Sequence, residues 1–593
     1  DLPVGNCLIV ESRIVPALRI DDVGPVNSNV SIRGVRSEVG SATTGIYIDD
    51  TPLQARALGG SASGGGSFLP PIFDLQRVEV LKGPQGTLYG GTVRFISPEP
   101  SLDAVELYGR AEVNQVEHGD LGYEIGGAAG VPLVQDKLGM RLSAFYRRFG
   151  GYIDYYDRRD TSSPIVEDDN WREQVSARIA VTWAPTETVR ITPTYYFARD
   201  KLNAFSTIYR DMEEYTTPAF GTVQTGTGSP LFGRYTGTGL TGGILPPGYV
   251  APTVGTVVTD IPGDVGTPVY IHPAHTYAAI DLGPYDSLEV TNVGENYTGP
   301  VTRDASGRTN RMHLGSLTFD WDPGPVSLKS VTSYLNETAT GAFNASFISG
   351  VNVNSVAAYD PRTDSPFLFD TPAPITSIFA FDSGREAWTQ ELRLTVPEGS
   401  SGISAVFGLY YNHADTYSIG TNIADRSSPR AAAFNKPQTY FPIHTPEQIA
   451  SQNQQTIDQV LEETSKAIFG EVNWQATETL RLTLGARISE EQLKFRTNTW
   501  GLLTNAPFGN GTIVEGSIKE RPFTPKATIS WQATPDDLFY VTAAKGYRPG
   551  GVQGQANPAI CANDLAALNI TETPASYGSD TVWNYELGAK LRL

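Results

Sequence analysis

Thr479-Leu-Arg-Leu-Thr-Leu-Gly-Ala-Arg-Ile-Ser489 decides how this chain folds. Leu480, Leu482, Leu484, Ala486 and Ile488 fall on one side of an extended strand, and Thr479, Arg481, Thr483, Gly485, Arg487 and Ser489 on the other. Side chains alternate across a strand, so this segment has one apolar and one polar face. The same period recurs at 174–183, where Val175, Ala177, Ile179, Val181 and Trp183 oppose Gln174, Ser176, Arg178, Ala180 and Thr182. It recurs again at 523–532, where Phe523, Ala527, Ile529 and Trp531 oppose Thr524, Lys526, Thr528, Ser530 and Gln532.

The links between such runs say which solvent the apolar face meets. Short polar links lie at 132–137, 185–188, 322–325, 397–402, 476–479 and 533–536. Long ones lie near 150–171, 200–310, 338–386, 415–464, 494–520 and 549–580. Tight turns at one end and elaborate loops at the other are the pattern of a transmembrane β-barrel. A soluble sandwich would scatter its loop lengths and rarely carry structureless loops beyond ~15 residues. About fourteen strands are predicted, at roughly 105–114, 122–131, 138–150, 172–184, 189–199, 311–321, 326–337, 387–397, 403–414, 465–475, 480–493, 521–532, 537–548 and 581–593. Most reach the ~9–11 residues of a tilted membrane strand. Trp183, Trp321, Trp474 and Trp531 precede short turns, as an aromatic girdle on the periplasmic side requires.

Composition agrees and excludes other classes. The chain has 593 residues, 60 glycines, 41 prolines and a formal charge of -20. No run approaches the ~20 apolar residues of a transmembrane helix. The acidic balance without basic runs argues against nucleic acid. Cys7 and Cys561 make neither a disulfide framework nor a zinc site. Residues 1–100 hold short apolar runs between Gly- and Pro-rich turns. They predict a small mixed α+β domain whose strands are too short to cross a membrane, with the barrel domain at 101–593.

Several motifs carry a resemblance across nearly the whole chain. They are IRGV (32–35), GIYIDDTPL (45–53), FDLQRVEVLKGPQGTLYG (73–90), GTVRFISPEP (91–100), QELRLTV (390–396), KGYRPGG (545–551) and NYELGAKLRL (584–593). In this order they resemble the TonB-dependent outer-membrane receptors of Gram-negative bacteria. The resemblance implies an all-β barrel of 22 strands with an N-terminal plug in its lumen, and so about eight strands beyond those legible here. It implies active import of a scarce ligand, with TonB and its inner-membrane energising complex as partner and outer-membrane lipid as surroundings. A ferric siderophore is the first expectation. A carbohydrate or aromatic ligand is the alternative within the family, and a passive porin or adhesin the alternative outside it. The TonB-engaging motif, normally upstream of the plug, is not recognisable.

Candidate residues follow. Glu391 shares a face with Thr389, Arg393 and Thr395, and Glu586 with Asn584, Gly588 and Lys590, so both glutamates are predicted to face the lumen. The resemblance implies that Arg33 and Arg77 meet Glu391 and Glu586 as a plug–barrel latch. Plug-apex loops of such receptors touch ligand, which makes Ser37, Glu38, Gln54, Arg56, Ser61 and Ser63 candidate contacts. The Gly-rich loop 57–67 lacks the Lys-Ser/Thr of a phosphate loop. His272 and His275 are a weak metal signal, and neither a metal nor a cofactor is expected. No catalytic constellation stands at a defensible spacing, so no enzyme is expected. Thr445-Pro446-Glu447, opening a polar run to Lys466, predicts a capped helix within a loop, and Cys561 is assigned to another loop.

Overall fold

The structure, a computed structural model, describes residues 18–23, 27–34, 40–56, 68–71, 73–82, 91–157, 160–204, 307–344, 377–424, 453–500, 511–553 and 562–591, with isolated short strands between. In the plug, β1 (Leu18–Val23) and β2 (Asn27–Ile32) make an antiparallel hairpin. A second sheet runs in the order β4 (Thr51–Pro52), β3 (Thr44–Ile48), β6 (Gly91–Ile96), β5 (Arg77–Leu81), with β3 parallel to β6. Ile46, Ile48, Leu53, Val93 and Phe95 are buried at its centre, as period-2 alternation directs. The described plug residues form strands and turns.

The wall is one antiparallel sheet in chain order. Its strands are β7 (Glu106–Gln115), β8 (Leu121–Val134), β9 (Leu138–Phe149), β10 (Arg172–Thr186), β11 (Val189–Leu202), β12 (Gly307–Trp321), β13 (Ser327–Asn344), β14 (Ser377–Val396), β15 (Ile403–Ala424), β16 (Asn453–Gln475), β17 (Leu480–Trp500), β18 (Thr512–Glu520), β19 (Phe523–Gln532), β20 (Asp537–Arg548) and β21 (Asp580–Leu591). β18 pairs the upper half of β17, and β19 the lower half.

This wall is inside out compared with a soluble protein. On β10 the polar Gln174, Ser176, Arg178 and Thr182 are buried, while Ile179 and Trp183 are exposed. On β17 Leu484 is 64% exposed and Ile488 59%. Among the described residues no second layer of chain covers them, so lipid is the partner their apolar surface requires. Trp183, Trp321, Trp474 and Trp531 are all exposed beside the short turns. The inner polar face receives the plug: the plug core is continuous with Tyr196, Ala198, Met312, Leu314, Leu335, Ala387 and Ala414 of the wall.

Two expectations are corrected. Residues 453–466, predicted as part of a helix from Thr445, belong to β16 and pair with β15, and from Thr456 onward with β17 as well. A ladder on both edges outweighs local helix propensity there; residues 445–452 lie outside the described residues. Strands β14 to β17 also run further than predicted, to 20, 22, 23 and 21 residues. Beyond Ile468, the outward positions of β16 turn mostly polar, at Lys466, Thr464, Glu462 and Asp458, with Val460 the apolar exception. The apolar face stops where lipid stops, but the backbone ladder continues into water.

Candidate functional site at the plug–wall interface

Two turns aim the charged groups of the plug. After β2, Arg33 and Gly34 are both left-handed (φ 56° and 76°). An arginine Nη of Arg33 lies 3.0 Å from Glu586 Oε2 on β21, and the Tyr540 hydroxyl donates to Glu586 Oε1 at 2.7 Å. In the β3–β4 hairpin the two turn residues are Asp49 and Asp50. Asp49 is left-handed (φ 52°), its N–H donates to the Phe95 carbonyl at 2.8 Å, and its Oδ1 accepts the Ser97 N–H at 2.8 Å. Burial pushes the Asp49 carboxyl up, opposed by Arg178 and by the Ser97 bond.

Asp50 is the hub of the interface. Arg94 of the plug lies 3.0 Å away, Arg393 of β14 2.9 Å and Lys329 of β13 3.2 Å. Lys329 and Arg393 are direct cross-strand partners, so the wall presents two cations side by side. Burial alone would raise the Asp50 pKa, but Arg393, Lys329 and Arg94 outweigh it and hold it down at about 2.

The expected four-residue latch is therefore only partly assembled. Arg33 meets Glu586, whereas Arg77 and Glu391 meet neither each other nor that pair. Arg77 sits on the edge strand β5 and is satisfied locally by Glu79 at 2.8 Å and Gln76 at 2.7 Å. Glu391 accepts from Arg393, two residues further on the same face. Arg94 lies 3.0 Å from Glu79 and bridges it to Asp50. Arg77 and Glu391 are thus the ends of one alternating chain: Arg77, Glu79, Arg94, Asp50, Arg393, Glu391. Asp50, Arg94 and Lys329 were missed, although Asp50 stands inside the GIYIDDTPL motif and Arg393 had been placed on the lumen face by alternation.

Opposite, strands β7 to β11 hold the plug by other means. Arg141 forks onto Asp74 at 2.5 and 2.7 Å and also reaches Glu106 at 2.7 Å. Arg178 donates to the Pro98 carbonyl at 3.0 Å, and Tyr196 to the Pro71 carbonyl at 2.5 Å. Phe73 stacks on Phe145 (5.3 Å) and lies over Gly126, where an added Cβ would come within 2.7 Å of the ring.

Of the candidate ligand contacts, Gln54 and Arg56 line a cavity of about 310 Å³ between the plug and strands β14 to β20. Tyr410, Arg487, Glu491 and Tyr547 line its other side. Both plug residues already have structural partners. Gln54 accepts the Ile46 N–H at 3.2 Å. Arg56 is buried, donating to Glu463 at 2.7 Å and to the Gly550 carbonyl at 2.9 Å, so it pins the plug to the KGYRPGG segment. Ser37, Glu38, Ser61, Ser63, His272, His275 and Cys561 lie outside the described residues. Among the described residues no group of three or more His, Cys, Asp or Glu could hold a metal.

Comparison with known families agrees with this architecture. The model described as "TonB dependent receptor-like, beta-barrel" matches residues 255–593, and the "TonB-dependent Receptor Plug Domain" matches residues 10–93. The chain belongs to the TonB-dependent receptor family. Members of this family are outer-membrane proteins of Gram-negative bacteria, as the lipid-facing belt of this receptor requires. The pesticin receptor of Yersinia pestis is 30% identical over 96 residues, 15% of this chain and 13% of that protein. Among solved structures, the ferric yersiniabactin uptake receptor of Yersinia pestis matches with a TM-score of 0.57 at 14% identity, over 98% of this chain and 66% of that one. The siderophore receptor PiuA of Acinetobacter baumannii matches with a TM-score of 0.52 at 14% identity, over 98% and 67%. Identities this low establish the fold alone. The chain spans about two-thirds of those two structures.

Proposed function

We propose that this receptor imports a scarce ligand across the outer membrane, and that TonB, energised from the inner membrane, pulls on the plug to open the path. The observation that carries this reading is the manner of plug attachment. The plug rests on the polar inner face of the wall through ion pairs and hydrogen bonds at β9, β13, β14, β16 and β21, with one shared apolar core. Such a closure needs work to release, and a passive pore has no use for it. The ligand is assigned as a ferric siderophore. Relatives named for ferric yersiniabactin and ferripyoverdine motivate the choice. Ser37, Glu38, Gln54, Ser61 and Ser63 are the proposed apex contacts, with Arg33–Glu586 as the latch.

The test is growth of a producing strain on ferric siderophores as the only iron source, with and without TonB. Growth that needs both the receptor and TonB supports the reading. Rescue under carbon limitation instead, by a carbohydrate or aromatic compound, transfers the assignment to that cargo. Uptake indifferent to TonB overturns active import.

A further inference from the structure

The outward face of strands β8 to β12 carries a feature that import does not use. By register, Arg148 on β9 is paired with Glu173 on β10, Glu173 with Lys201 on β11, and Arg199 with Arg311 on β12. All share a face with the lipid-directed Leu142, Ile179, Tyr195 and Leu317. Four cations therefore stand on the lipid side of a chain whose net charge is -20.

Their height is set by the girdle of tryptophans. Arg311 lies about ten residues along β12 from Trp321, Lys201 about ten along β11 from Ile191, the partner of Trp183, and Arg148 about ten along β9 from Leu138, also paired with Trp183. That is the length of one membrane crossing, so the cations emerge at the far headgroup level. Trp171 is packed between two of them, with Arg148 at 4.8 Å and Lys201 at 4.9 Å from its ring centre. Aromatic rings flanked by basic residues suit that boundary, with apolar bodies in the acyl region and charge in the headgroups.

Carboxylates partner two of the four, and the further loop acids Asp154, Glu167 and Asp168 gather beside Asp120. Glu173 lies 3.4 Å from Arg148 and 3.7 Å from Arg199, and Asp120 3.7 Å from Arg148. Among the described residues, no carboxylate stands within the 4.0 Å ion-pair distance of Lys201 or Arg311. The exposed His313 adds a ring, bonded to the Tyr195 hydroxyl at 2.8 Å. Further round the same face Glu386 and Asp415 intervene, and the next outward cations, Lys466 and Lys494, stand opposite Glu490 and Glu462, so the basic patch ends at β12.

We propose that this patch binds the phosphate of a lipid headgroup in the outer leaflet, with Arg199, Lys201 and Arg311 as the contacting cations. Guanidinium and ammonium groups hold phosphate by charge-assisted hydrogen bonds, and acyl chains would continue down over Tyr195, Phe197 and Leu317. The inference rests on the strands facing lipid, not on which ligand is imported.

The test measures binding of diphosphoryl lipid A to the detergent-solubilised receptor, for the natural protein and for R199Q/K201Q/R311Q. Each basic residue near a charged lipid surface contributes about fivefold, so the triple variant should bind about 100-fold more weakly. K494Q, which alters a cation elsewhere on the outer face, should leave binding unchanged. Lipid A stripped of phosphate should bind the natural protein as weakly as diphosphoryl lipid A binds the variant. Equal binding with and without phosphate, or an unaffected triple variant, overturns the proposal. Competition by millimolar inorganic phosphate would move the site to a soluble anion and overturn the lipid source. Heat-modifiable migration on gels checks folding; if the triple variant fails it, R311Q alone should still lose about fivefold.

Discussion

Asp50 shows how a buried charge can be used rather than avoided. An unpaired carboxylate at this depth would be costly, yet three cations surround it, two of them supplied by the wall. Asp50→Asn removes the acceptor and leaves Arg393 and Lys329 facing each other beside the plug. Breaking a buried pair from one side costs about 3–5 kcal/mol, so denaturant unfolding of the plug should shift by that order. The pH response has a defined sign. The Asp50 pKa is held at about 2 in the folded plug, against 3.8 for the free group. Its contribution is complete above about pH 4 and fades as acid reaches pH 2, a loss of about 2 kcal/mol. Unfolding curves of the natural protein should be steeper in pH over that window than those of Asp50→Asn. Equal slopes would remove Asp50 from its position as hub.

At the scale of the strand, the two faces of β17 make opposite demands. Leu484 is 64% exposed, and on a soluble protein Leu484→Arg would change stability by no more than about 0.5 kcal/mol. In a bilayer the same change should cost about 2–4 kcal/mol at mid-depth. Equilibrium unfolding in phospholipid vesicles distinguishes the two, and a cost below 1 kcal/mol would contradict a lipid-facing strand. Across the wall, β8 must keep Gly126 because the Phe73 ring occupies the space of a side chain. Phe73 is itself confined by Tyr108 and Phe145. Gly126→Val should therefore weaken plug docking by about 1–3 kcal/mol through overpacking, read as earlier proteolysis of the plug with the wall still intact.

Over the whole molecule, the plug is attached at separate places. Arg33 holds β21, Arg56 β16, Asp50 β13 and β14, and Asp74 β9. Sites on different wall strands share no side chain, so their losses should add to within about 0.5 kcal/mol. Arg33→Ala should cost no more than about 1 kcal/mol, because its pair with Glu586 is half open to water. The double variant Arg33→Ala/Asp50→Asn should cost the sum of the two single changes. A coupling above 1 kcal/mol in this cycle would mean that the two fastenings act as one. Lowering ionic strength should strengthen the exposed Arg33 pair more than the buried Asp50 hub.

Period-2 alternation, repeated over some fourteen segments and punctuated by alternating short and long links, was enough in the sequence to establish an inside-out β wall and its tryptophan girdle, while the N-terminal plug was implied by the motifs of residues 32–100. Those properties depend on which face of each strand is apolar, and that is written residue by residue. Alternation also turned Glu391, Arg393 and Glu586 inward. Which charge meets which was settled only by tertiary structure. Arg77 and Glu391 stand at opposite ends of a relay through Glu79, Arg94, Asp50 and Arg393, because the plug sheet docks with β3 and not β5 toward β14. Likewise the upper halves of β14 to β17 continue past the apolar belt, since their pairing partners lie dozens of residues away. Ion pairs between distant segments depend on where rigid bodies come to rest, and no local pattern in the chain encodes that position.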